Sequence, residues 1–117
     1  MWPTFLVIGA PKSGTTALQA YLSAHPQVCL SSFRDPDYFC QEVGALDGGE
    51  ADGLAFSGNY SKGPAWYESL FQPSANTRAT GEISRAYLVA KDAPLLIHQA
   101  LPDCQLVFAL RDPVARL

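Results

Sequence analysis

Phe5-Leu6-Val7-Ile8 is an unbroken apolar run without polar alternation, a pattern that predicts a parallel strand covered on both faces. From Thr15 to His25 the apolar residues Leu18, Tyr21 and Leu22 fall at i, i+3 and i+4, predicting a helix with one apolar face, and Pro26 stops it. Gln27 to Ser31 predicts a short strand. Pro64 to Phe71 predicts a helix with Pro64 in its first turn and Trp66, Leu70 and Phe71 on one face. Ala79 to Ile83 predicts a strand, Asp92-Ala93-Pro94 caps a helix carrying Leu95, Leu96 and Leu101, and Gln105 to Leu110 is the clearest strand after the first. Pro113 has the position of a further helix start. Strands alternating with helices imply right-handed βαβ units and a parallel sheet. Ligands of such sheets bind beyond the carboxyl ends of the strands.

The middle of the chain breaks this rhythm. Six of the nine glycines lie between Gly44 and Gly63, and from Asp35 to Ser61 there are six acids without one Lys or Arg. Residues 40–63 therefore read as an acidic, Gly-rich surface loop within a single domain covering 1–117. Asn59-Tyr60-Ser61 matches a glycosylation acceptor pattern that matters only in a secreted chain.

Composition narrows the class. The 117 residues are 48% hydrophobic and 16% charged, which excludes a largely disordered chain. Their net charge of −3 argues against general affinity for nucleic acid or an acidic membrane. No apolar run reaches the roughly 20 residues of a membrane-spanning helix. Cys29, Cys40 and Cys104 form no CxxC pair, so neither a zinc site nor a redox dithiol is indicated.

The sharpest local signal is Gly9-Ala10-Pro11-Lys12-Ser13-Gly14-Thr15-Thr16, between a predicted strand and a predicted helix. Glycines there permit a tight curve whose N–H groups, with the helix N-terminus, cradle phosphate or sulfate. Lys12 adds a mobile cation, and Thr15 and Thr16 add hydroxyls. A nucleotide triphosphatase loop would carry its lysine after the last glycine, whereas Lys12 precedes Gly14. The last strand ends in Arg111 rather than a magnesium-binding carboxylate. That cation suits a second anionic group better than a metal.

These residues carry a resemblance. Pro11-Lys12-Ser13-Gly14-Thr15-Thr16 resembles the 5′-phosphosulfate loop of sulfotransferases that use 3′-phosphoadenosine 5′-phosphosulfate, and three further stretches follow in family order. Arg34-Asp35-Pro36-Asp37-Tyr38-Phe39 resembles K-E-P-H-[YF]-F. Gly81-Glu82-Ile83-Ser84-Arg85-Ala86-Tyr87 resembles G-E-K-[ST]-P-x-Y, with Ile83 and Arg85 in place of lysine and proline. Leu110-Arg111-Asp112-Pro113-Val114-Ala115-Arg116 resembles the start of the 3′-phosphate motif. The likeness is greatest to the bacterial and carbohydrate sulfotransferases. It implies a P-loop-like three-layer α/β/α fold with a central parallel sheet, incomplete at the C-terminus because the 3′-phosphate motif is cut at Leu117.

The resemblance implies metal-free transfer of a sulfuryl group from 3′-phosphoadenosine 5′-phosphosulfate to a hydroxyl or amine, with fixed donors around the phosphate oxygen that leaves sulfur. Pro11, Lys12, Ser13, Gly14, Thr15 and Thr16 would hold the 5′-phosphosulfate, and Arg111 the 3′-phosphate through two hydrogen bonds. Asp35 corresponds to the acid that serves as general base, and Lys12 and Asp35 are the expected catalytic pair. Asp37 and Glu82 are further candidates for the base; with Arg34 and Ser84 they make up the expected acceptor side. The acidic loop favours a neutral or weakly charged carbohydrate or small molecule as acceptor.

Two other readings remain open. A non-catalytic anion-binding fragment could act through a partner chain, and a small-molecule kinase is a third option, disfavoured by the lysine position. The 117 residues alone are expected to bind donor weakly and turn over poorly. Unpaired thiols and the absence of a visible leader predict a cytoplasmic chain. Carbohydrate-group relatives supply the alternative of a Golgi lumen location behind an anchor.

Overall fold

A computed structural model describes residues 2–9, 15–32, 34–41, 43–45 and 55–108, with the side chains of 43–45 and 55–57 outside the description. Four parallel strands make the main sheet: β1 (Phe5–Val7), β2 (Val28–Leu30), β5 (Ala79–Ile83) and β6 (Gln105–Val107), in the order β2-β5-β1-β6. Between them run α1 (Thr15–Ala24), α2 (Pro64–Glu68) and α3 (Ala93–Ala100). The short apolar strands pair in parallel because each returns through a crossover. β1 sits between β5 and β6, with Phe5, Leu6 and Val7 opposite Gly81, Glu82 and Ile83 on one side.

Alternation along β1 divides the molecule. Leu6 and Ile8 join a core with Tyr38, Phe39, Tyr67, Leu70, Phe71, Tyr87 and Ile97, contributed by α2, α3 and the segment after β2. Val7 belongs to the opposite side, where it shares a groove with Leu18 and Leu22 of α1 and Val28 of β2. Helices thus cover both faces of the sheet, as an α/β protein requires. Gly81 is forced by close approach: a Cβ there would lie 2.4 Å from the Phe5 ring.

Several expectations change in detail. Within 40–63, read as a loop, two stretches pair antiparallel as β3 (Val43–Ala45) and β4 (Ala55–Ser57), followed by a turn of 3-10 helix at Tyr60–Lys62. These strands are too short, and too rich in Gly and Ala, to leave a period in the sequence. Tyr21 is 75% exposed rather than part of the α1 contact face. Asp92 stands at the N-cap of α3 without a side-chain capping bond, and its Oδ2 instead accepts from the Gln41 N–H at 2.8 Å. The strand expected over Gln105–Leu110 is seen over Gln105–Val107, and Ala109 and Leu110 lie outside the described residues. Among the described residues no helix is long and apolar enough to cross a membrane.

Candidate functional site

Every pairing in the main sheet is parallel, so the carboxyl ends of its strands share one edge. Each of the four motifs follows one of these ends: 9–16 after β1, 34–39 after β2, 84–87 after β5 and 110–116 after β6. Pro11, Lys12, Ser13, Gly14 and Arg111 lie outside the described residues. Thr15 opens α1 and is buried, whereas Thr16 is exposed. The Thr16 Oγ1 accepts a hydrogen bond of 3.0 Å from the Arg34 Nη2. That bond joins the last residue of the anion motif, in the first turn of α1, to the residue preceding Asp35.

The segment from Arg34 to Phe39 is bent and then pinned. Asp35 and Asp37, either side of Pro36, take positive φ values of 48° and 51°. Aspartate tolerates this left-handed conformation better than most residues, at a cost of about 1 kcal/mol. Hydrogen bonds from β5 and the residues after it hold the bend. Asp35 N–H donates to the Ile83 carbonyl at 3.0 Å, and Asp37 N–H to the Ser84 Oγ at 3.1 Å. Phe39 N–H donates to the Tyr87 Oη at 3.2 Å. From the other side, Asn59 Nδ2 donates to the Pro36 carbonyl at 2.7 Å and its N–H to the Asp37 carbonyl at 2.9 Å. The amide of the glycosylation-like triplet therefore fastens this segment.

Behind the bend lies a buried carboxylate. Glu82 is fully enclosed; its Oε2 accepts from the hydroxyls of Tyr67 and Tyr87, the latter at 3.1 Å, and its Oε1 from Ser84. Burial raises its pKa to about 7, helped by the charge of Asp35 and opposed by the three hydroxyl donors. The same enclosure pushes the two phenols up. Glu82 and Ser84, expected on the acceptor side, are closed off from solvent. They hold the backbone that carries Asp35 and Asp37.

The two aspartates differ. Asp37 is buried, and its Oδ1 has no hydrogen-bond partner among the described residues. Burial first, then the charges of Asp35 and Glu82, raise its pKa to about 7 against the pull of Ser84 and Arg85. Asp35 is partly exposed and is gripped by Arg85. Arg85 Nη2 lies 2.9 Å from Oδ2, while its backbone N–H and its Nε reach Oδ1 at 2.9 and 3.4 Å. Asp35, Asp37, Glu82 and Ser84 are thus brought together, with Arg34 directed toward α1. Among the described residues no group of three or more His, Cys, Asp or Glu is arranged to hold a metal ion.

Residues 3–48 match the profile of the Sulfotransferase family. Human heparan sulfate glucosamine 3-O-sulfotransferase 6 is 33% identical over 116 residues, which make up 98% of this chain and 28% of the human protein. The mouse bifunctional heparan sulfate N-deacetylase/N-sulfotransferase 4 is 34% identical, over 97% of this chain and 12% of its own length. A crystal structure of a sulfotransferase from Alicyclobacillus acidocaldarius superposes with a TM-score of 0.73 at 26% identity, covering 99% of this chain and 47% of that one. Nearly the whole chain is thus similar to sulfotransferases in sequence and in fold. It has the family's P-loop-like α/β fold, and it spans about a quarter of the length of the human relative. Against the family pattern quoted above, Tyr87 keeps its place and anchors Phe39, whereas Arg85 replaces proline and gains a partner in Asp35. Sequence reasoning noted the Arg85 replacement without finding its partner. The hydroxyls of Tyr67 and Tyr87 on Glu82 left no sequence signal.

Proposed function

We propose that the protein transfers a sulfuryl group from 3′-phosphoadenosine 5′-phosphosulfate to a hydroxyl, or an amine, of a neutral or weakly charged carbohydrate. The observation that supports this reading is the bond from Arg34, the residue before the candidate base Asp35, to Thr16, the last residue of the anion motif. Sulfuryl transfer needs both in one place. Lys12 and the amides of 13–16 hold the 5′-phosphosulfate, and Arg111 holds the 3′-phosphate. The acceptor oxygen bonds to sulfur as the bond from sulfur to the 5′-phosphate oxygen breaks, and that oxygen leaves with the electron pair. The acceptor's proton passes to Asp35, the more exposed of the two aspartates. Glu82, Ser84 and Tyr87 fix the segment without touching the acceptor. The heparan sulfate in the relatives' names supports a carbohydrate; that the acceptor carries less charge than this polyanion rests on the acidic stretch 35–61 of this chain.

Thermal denaturation with 3′-phosphoadenosine 5′-phosphate tests the donor site. Saturating ligand is expected to raise the midpoint by several degrees, with no rise in ATP plus magnesium. The reverse pattern would replace the reading with a kinase. Transfer of radiolabelled sulfuryl to an unsulfated oligosaccharide, abolished by Lys12→Ala, is the expected activity.

A further inference from the structure

We propose that Arg85 is a positioning residue for the reaction, holding the Asp35 carboxylate in one orientation for the acceptor's proton; this rests on the sulfotransferase reading above. One residue supplies three donors to one carboxylate. The backbone N–H and Nε take Oδ1, and Nη2 takes Oδ2 at 2.9 Å. A planar guanidinium that meets both oxygens fixes the plane of the carboxylate as well as its place. Asp35 also needs such a hold. Its backbone is left-handed at φ 48°, a conformation that persists only when surrounding contacts enforce it.

The surroundings are acidic. Asp35 contributes to the raised pKa values of Asp37 and Glu82, so three acids lie together. Among the described residues, Arg85 is the cation bonded to Asp35. It opens the 3-10 turn Arg85–Leu88 directly after Ser84, whose hydroxyl is tied to Glu82, so its own backbone has a fixed origin. The pair is 23% exposed on both sides. At that exposure an ion pair adds little to stability, so its main effect is on geometry. Two donors occupy both lone-pair sites of Oδ1, whereas Oδ2, with one donor among the described residues, has room for an acceptor hydroxyl.

The test compares wild type with Arg85→Gln and Arg85→Lys at saturating donor. Arg85→Gln, which removes the charge and the fork, is expected to lower kcat for sulfuryl transfer 10- to 100-fold. That is the range a displacement near 1 Å can produce. The KM for donor and the melting midpoint should stay near wild type. Arg85→Lys keeps the charge and is expected to recover part of the loss. In parallel, the wild-type Arg85 Nε–H is expected as a slowly exchanging nitrogen-15 resonance that disappears in Asp35→Asn. A kcat within twofold of wild type in Arg85→Gln overturns the proposal, as does a rise in kcat, which would make the pair a lock. Wild type that transfers nothing to any acceptor sinks the sulfotransferase reading itself and the proposal with it.

Discussion

The two faces of the sheet are built differently. On the Leu6 and Ile8 side, aromatic rings crowd together: Tyr67 stacks on Tyr38 at 4.4 Å and meets Phe39 and Phe71 edge-on at 5.2 and 5.1 Å. On the α1 side, Leu18 and Leu22 are only half-buried, and at the edge of the sheet β6 is exposed along its length. The difference follows the chemistry. The bend that carries Asp35 and Asp37 is anchored through Ser84 and Tyr87 to Glu82, and the aromatic side encloses that carboxylate. Rigidity is concentrated behind the bend that carries the proposed base.

The strongest way to break this contrast is Tyr67→Ala. It empties the centre of the ring cluster and removes a donor from a buried carboxylate, and is expected to cost about 3–5 kcal/mol in urea denaturation. Next comes Gly81→Ala, whose new methyl meets the Phe5 ring, with an expected loss of about 1–3 kcal/mol by the same measurement.

A pH series sharpens the comparison further. Asp37 and Glu82 are pushed up to about 7 in the folded protein, whereas unfolded carboxylates titrate near 4. Between those values the native state keeps protons that the unfolded chain has released. This stabilisation is complete below about pH 4 and is lost as pH rises through about 7. Melting midpoints should therefore be higher at pH 5 than at pH 8, and Glu82→Gln should flatten the difference. Equal slopes in wild type and variant would remove Glu82 from this account. The smallest effect belongs to the other face: Tyr21→Ala should change stability by no more than about 0.5 kcal/mol.

Local signals were readable in the sequence where periodicity and punctuation agreed. β1, α1, β5 and α3 lie where the apolar runs, Pro26 and Pro94 put them. Tyr21 misled because a residue three positions on from Leu18 sits about 100° round the helix from Leu22, at the flank of the stripe. The anion motif and Asp35 were legible as residue types in order. Their joining was not. Arg85 and Asp35 are 50 positions apart and meet only because β5 is inserted between β2 and β1. Local sequence carries no mark of that strand order. Nor could it distinguish Glu82 from Asp35, since both follow strand-like stretches and only the packing of Tyr67 and Tyr87 encloses one of them.

Asn59 is a stitch between distant parts of the chain. Its amide grips the Pro36 carbonyl 23 positions earlier and its N–H the Asp37 carbonyl, just after β3 has paired with β4. A deletion that took Asn59 would release both aspartates from that side, however well β5 held them from the other.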